Sequence, residues 1–159
     1  MTKRILAVAA TGALLAGGMA MSTAHAAKPV AKNAMTTVML HGEHGYKATG
    51  TAAFEYSAKT NITTVSLRVT GLKAMTVHPA HIHAGSSCTA NGPVLYSFRP
   101  LGSSTMMMTE AGANGIMRAS TSFRGTYVGQ KLYINVHLGP DLKGAHFTPI
   151  ACGVVSSMM

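Results

Sequence analysis

From residue 36 to residue 155 the sequence is a succession of short runs rich in β-branched and aromatic residues. Glycine, proline and asparagine cut them at intervals, and no stretch carries a sustained helical period. That pattern restricts the fold more than any other feature, because short strands at steady spacing bury a common face by closing into a sandwich or barrel. The clearest run is 62–69. Ile62, Thr64, Ser66 and Arg68 fall on one side and Thr63, Val65, Leu67 and Val69 on the other, the period of two of a half-buried strand. Further strands are expected over 36–40 (stopping at a 42–45 turn), 46–56 (interrupted by Gly50), 93–98 (closed by Pro100) and 105–109. After a turn at 112–115 they resume over 116–123, 131–137 and 148–155. The fold class expected is all-β, a Greek-key sandwich or barrel.

The first residues read as a targeting segment. Lys3 and Arg4 precede an apolar stretch over 5–17, and Ala24-His25-Ala26 supplies the small-x-small pattern of a signal-peptidase site. A membrane anchor wants about 20 apolar residues, whereas this run is broken by Thr11, Gly12, Gly17 and Gly18. The expected organisation is a signal peptide over 1–26, a short linker over 27–34 and one domain over 35–159. The mature protein would then be periplasmic or extracellular, with no stable membrane span after cleavage. Two cysteines, Cys88 and Cys152, fall in the exported part. An even pair in an oxidising compartment reads as a disulfide, and neither cysteine has the CxxC partner that a thiolate metal site would want.

The formal charge is +9, and Lys3 and Arg4 account for two of those charges. The remaining basic residues are scattered singly and do not alternate with aromatics, so the chain lacks the footprint of a nucleic-acid binder. The charge fits a diffuse positive field, which could also attract a small anion. No GxSxG, phosphate-cradling glycine loop or pair of suitably placed acids is present, which removes serine-hydrolase, nucleotide and glycosidase readings. Met106, Met107 and Met108 form a run, with Met158 and Met159 at the end. Thioethers bind Cu(I), but methionine is more often a filler of irregular cores.

Chemistry concentrates in the histidines. In the segment His78-Pro79-Ala80-His81-Ile82-His83, strand periodicity puts His81 and His83 on one face and Ile82 on the other. In 132–137, Leu132, Ile134 and Val136 form the apolar side, and His137 shares the opposite face with Tyr133 and Asn135. Three imidazoles projecting from non-core faces, with few acids to compete, suit a copper or zinc site. His78 and His146 are candidates for an additional ligand or an outer contact, and Asp141 for orienting a ligand imidazole. For His78 and His146 an ordinary loop residue is the preferred reading, and Asp141 reads equally well as a turn residue. His41 and His44 flank the first turn and carry no metal role.

These segments also resemble known families. Val69-Thr70-Gly71-Leu72, His81-Ile82-His83 and Cys88, then His137 followed by Asp141-Leu142-Lys143-Gly144, and finally Ala151-Cys152-Gly153-Val154-Val155 resemble the copper half of the Cu/Zn superoxide dismutase family. That resemblance covers 65–155. It implies a Greek-key β-barrel, a Cys88–Cys152 disulfide, and His81, His83 and His137 as ligands of one copper ion, with superoxide as the small-anion substrate. It also shows departures. Val94 stands where the family has its bridging histidine, and Pro149 where it has its active-site arginine. No histidine lies between His83 and His137 to build a zinc loop, so zinc is not expected. The segments Asn91-Gly92-Pro93-Val94 and Leu132–His137 are also similar to the chordin-type (CHRD) domain, a β-sandwich module with a similar His-Ile-His strand and no established enzymatic role. The expected functions are therefore an exported copper-binding protein with weak superoxide dismutation, a non-catalytic CHRD-like module, or a copper buffer.

Overall fold

A computed structural model describes residues 33–101 and 109–156. The chain forms β1 (Ala34–Gly42), β2 (Thr49–Ser57), β3 (Ile62–Thr70), β4 (Val77–His78), β5 (Ala80–Ala84) and β6 (Val94–Ser97). It continues as β7 (Arg99–Pro100), β8 (Thr109–Glu110), β9 (Met117–Arg124), β10 (Leu132–His137), a 3-10 turn (Gly144–Phe147) and β11 (Pro149–Val155). One sheet runs in the order β6-β5-β10-β11-β1-β2-β3-β9-β7, and β4 pairs with β8 beside it. All of these pairings are antiparallel. The two edge strands, β6 and β7, are consecutive in the chain. Val94–Ser97 pairs with β5 and Arg99–Pro100 with β9, so one segment joins both edges and the sheet is a nearly closed barrel.

The expected all-β class therefore holds, and the alternation over β3 is realised. Thr63, Val65, Leu67 and Val69 are buried and their neighbours Ile62, Thr64, Ser66 and Arg68 are exposed. The core fills with Leu40, Phe54, Val65, Ile82, Phe98, Met117, Ile134 and Val136. Side chains of this kind contribute about 1.5–3 kcal/mol each when fully buried.

Two departures from the sequence expectation bear on the fold. β2 begins at Thr49 and runs straight through Gly50, whose absent side chain lets the Arg68 carbonyl approach. The segment closed by Pro100 instead carries Pro100 inside β7, which proline tolerates because this strand is at the sheet edge. The strand expected at 105–109 lies outside the described residues except for Thr109, and so does the Met106–Met108 run.

Cys88 and Cys152 form a disulfide with Cα atoms 5.9 Å apart and a sequence separation of 64 residues. Closing a loop of this length stabilises the fold by about 4 kcal/mol on the chain-entropy account. The bridge also ties the loop after β5 to β11, next to the histidines.

Candidate metal centre

His81 and His83 belong to β5, with Ile82 between them in the core. β10 lies alongside in register, with Tyr133 opposite His83 and Asn135 opposite His81. His137 ends β10, where the pairing with β11 shifts by a residue and the His137 N–H donates to the Pro79 carbonyl at 2.9 Å. The rings of His81, His83 and His137 therefore meet. Their centroids are 5.3–6.3 Å apart, and one ligand atom from each lies within 4.8 Å of the others. Two nitrogens each about 2.1 Å from a shared ion are at most about 4.2 Å apart, so small ring movements would close this set onto one metal.

The sequence places these imidazoles on a non-core face, and solvent exposure would be the simple expectation. They are instead buried, with relative exposures of 6%, 5% and 1% for His81, His83 and His137. Two loops cover them, and each loop supplies a backbone carbonyl. The loop after β5 is pinned by the disulfide and by Tyr133, whose hydroxyl accepts from the Gly92 N–H at 3.1 Å and donates to the Ala90 carbonyl. Glycine is required at 92, because a Cβ there would lie 1.6 Å from the Ala84 oxygen. Gly92 then presents its carbonyl to His83 Nδ1 at 3.0 Å, and the Tyr133 ring stacks on His83 with centroids 4.9 Å apart. The loop after β10 folds back through Leu138 N–H to the Thr148 carbonyl and Gly139 N–H to the His146 carbonyl. That brings the Phe147 carbonyl 2.7 Å from His137 Nδ1 and stacks the Phe147 ring on the imidazole.

A carbonyl only accepts, so the proton of each neutral ring must sit on Nδ1 of His83 and of His137. Their Nε2 lone pairs are left free and buried. His81 Nδ1 is likewise buried without a hydrogen-bond partner among the described residues, as is Asn135 Oδ1. An unpaired buried polar atom costs about 1–3 kcal/mol, and all four orphans belong to this one face. Burial pushes the His81 imidazole down to about 4, with a smaller contribution from His137 and His83 as prospective like charges. Burial also lowers His137, against the hydrogen bond to Phe147. At neutral pH both rings are uncharged, the form that binds a metal.

The auxiliary candidates fall elsewhere. Both ring nitrogens of His78 are engaged, Nδ1 with the His137 carbonyl at 2.9 Å and Nε2 with the Thr76 hydroxyl at 2.7 Å. His78 thus braces the backbone of His137 and offers no free donor. Asp141 does not reach a ligand imidazole. Its carboxylate pairs with His146 Nδ1 at 2.6 Å on the exposed loop and accepts from Lys143 N–H. The His146 contact, then the Lys143 one, holds the Asp141 carboxyl below its usual range. His146 packs against Gly139, where a Cβ would meet its ring at 2.3 Å, so the pair shapes the loop that carries Phe147. Val94 stands opposite His83 on β6, and Pro149 opposite His137 on β11. Neither side chain offers a donor. Glu43 also lies near Cys88 and Cys152, but both thiols are consumed in the disulfide.

Sequence reasoning did not find the two carbonyls, since a backbone acceptor leaves no side-chain signal. Tyr133 and Asn135 could have been found, because the period of two already put them on the face of His137.

An antiparallel β-barrel with a buried cluster of three imidazoles defines the class: an all-β module with a candidate metal centre. A family model, CHRD domain, matches residues 28–139, and the chain belongs to that family. The matched stretch contains all three histidines and ends before β11, which supplies Cys152. Of the two resemblances read from the sequence, the match bears out the chordin-type one and gives no support for membership of the dismutase family. No curated protein matches the chain.

Proposed function

We propose that this CHRD domain is an exported module that holds a single copper ion through His81 Nδ1, His83 Nε2 and His137 Nε2. The observation that carries the reading is the convergence of three buried ring nitrogens with no hydrogen-bond partner, on imidazoles of which two have their tautomer set by a backbone carbonyl. Imidazole donors take copper ahead of zinc in the general divalent order. Export is supported by the signal-peptide-like sequence pattern over 1–26 and by the disulfide, which persists outside the reducing cytosol.

The test is metal analysis of the exported protein together with Cu(II) titration and mass spectrometry. We expect one copper per chain, an N-terminus near Ala27 and no free thiol. His81→Ala or His137→Ala should each remove most of the affinity, and His44→Ala, an exposed turn residue, none of it. Equal losses in all three variants would mean unspecific surface binding and would reject the centre.

A second reading, slow copper-dependent dismutation of superoxide, is favoured by the surplus of basic residues, a formal charge of +9, whose field would draw a small anion towards the domain. Bound copper would supply one-electron chemistry. The chain's own residues would hold the ion, keep His81 and His137 neutral and restrict water through burial.

A further inference from the structure

Asn135 occupies the middle of β10, a strand whose six residues are all buried. Leu132, Ile134 and Val136 point into the core. Tyr133, Asn135 and His137 share the other face. Asparagine is depleted in strands because it packs poorly on a pleated surface, and this one is 94% buried, at 6% relative exposure. Its Oδ1 has no hydrogen-bond partner among the described residues. An apolar residue of similar shape would avoid the desolvation of that carbonyl altogether. The sheet and the core therefore give no reason for an amide here.

The surrounding groups do not supply one either. The Tyr133 hydroxyl is committed to Ala90 and Gly92. His83 Nδ1 is taken by the Gly92 carbonyl, His137 Nδ1 by the Phe147 carbonyl, and both nitrogens of His78 by His137 and Thr76. What remains unpaired beside Asn135 is a set of three ring nitrogens. Asn135 is directly opposite His81 in register, next along the face from His137, and diagonal to His83. The four buried partnerless atoms among the described residues are those three nitrogens and Asn135 Oδ1.

We propose that Asn135 Oδ1 is the fourth donor of the centre, completing a set of three imidazoles and one carboxamide. This rests on the copper reading given above and sharpens it. A neutral amide oxygen is a hard donor, and it favours Cu(II) over the softer Cu(I). With a protein group in the fourth position, the centre is built to hold a cupric ion more than to leave a position open for a substrate.

The experiment compares wild type, Asn135→Leu, Asn135→Asp and His81→Ala in the exported chain. Each is titrated with Cu(II) and with Cu(I), examined by electron paramagnetic resonance as the Cu(II) form, and melted without metal. Asn135→Leu should lower Cu(II) affinity at least about tenfold, alter the copper hyperfine splitting, and leave Cu(I) affinity nearly unchanged. Its metal-free form should melt at the wild-type temperature or above it, since the unpaired amide is gone. Asn135→Asp, which keeps the oxygen and adds charge, should bind Cu(II) more tightly than wild type. Unchanged Cu(II) affinity and spectrum in Asn135→Leu, with His81→Ala inactive in binding, would overturn the role of Asn135 and leave the three-histidine centre standing. A metal-free Asn135→Leu that melts lower, together with an Asn135→Asp that binds no better, would make Asn135 a structural residue. Absence of copper binding by wild type would overturn both.

Discussion

Replacing Tyr133 by phenylalanine removes one oxygen atom and keeps the ring that stacks on His83. The lost hydroxyl serves two backbone groups, the N–H of Gly92 and the carbonyl of Ala90. Each such bond is worth about 0.5–1.5 kcal/mol net. Both are partly buried, so water replaces some of the loss, and a destabilisation of about 1–2 kcal/mol is expected. The effect should reach the metal, because the Gly92 carbonyl that these bonds position is the acceptor for His83 Nδ1. Loss of an outer partner of a ligand histidine typically costs 10–100-fold in metal affinity. The assay is urea unfolding of the metal-free variant, followed by Cu(II) competition against a chelator of known strength. Tyr56→Phe serves as control, because its hydroxyl donates to Asn61 in the turn between β2 and β3 and to neither loop that covers the histidines. A Tyr133→Phe protein with wild-type stability and wild-type copper affinity would refute the reasoning. The loop would then be held by the disulfide and strand pairing alone, and the carbonyl would need no help from the phenol.

The metal-free protein should lose stability on mild acidification. His81 titrates near 6.5 when unfolded and at about 4 when folded, so between those values only the unfolded chain takes up the proton. Stability is then full above about pH 6.5 and falls towards pH 4 by roughly 3 kcal/mol, with little further change from this group below that. Chemical denaturation of the metal-free protein at pH 7 and pH 4 measures it, and a flat profile would contradict the burial of a neutral ring. On the second reading of the function, superoxide turnover by the copper-loaded protein should be measurable, lost in His81→Ala, and slow. One missing donor typically costs 10²–10³ in rate, and Val94 and Pro149 supply neither of the two the dismutase family uses. Near diffusion-limited consumption of superoxide in a stopped-flow assay would refute that account.

Legibility in the sequence followed side-chain periodicity. Thr63 to Val69 could be assigned to a strand and a face because alternation survives any choice of neighbouring strand. His81, His83 and His137 could be grouped because two of them are two apart and the third shares a face with polar partners. The burial of these rings was not legible. It depends on loops whose path is set by Gly92, Gly139 and a disulfide, and a period-of-two argument stops where the strand does. Asp141 reads from the sequence as a partner for a ligand imidazole or as a turn residue, and its contacts are those of the loop: His146 Nδ1 and the Lys143 N–H. The role of Phe147 could not be read at all, since its carbonyl, not its ring identity, fixes the His137 proton. Pro100 reads as a terminator because proline cannot donate to a ladder, and its place in the edge strand β7 removes that objection.

The segment from Val94 to Pro100 has a consequence for how this domain meets other chains. Because its first half pairs with β5 and its second half with β9, the barrel has a single seam where an open sheet would have two free margins. Phe98 sits at the seam, fully buried, with its N–H donated to the Ala80 carbonyl. Among the described residues a foreign strand finds no long unpaired ladder to extend while that seam is shut, which favours recognition through side chains on the faces and through the loops. If the seam opens, both margins are bared together, and β5, which carries His81 and His83, becomes one of them. Fibre-like self-association and loss of the histidine cluster would then be two results of the same local event.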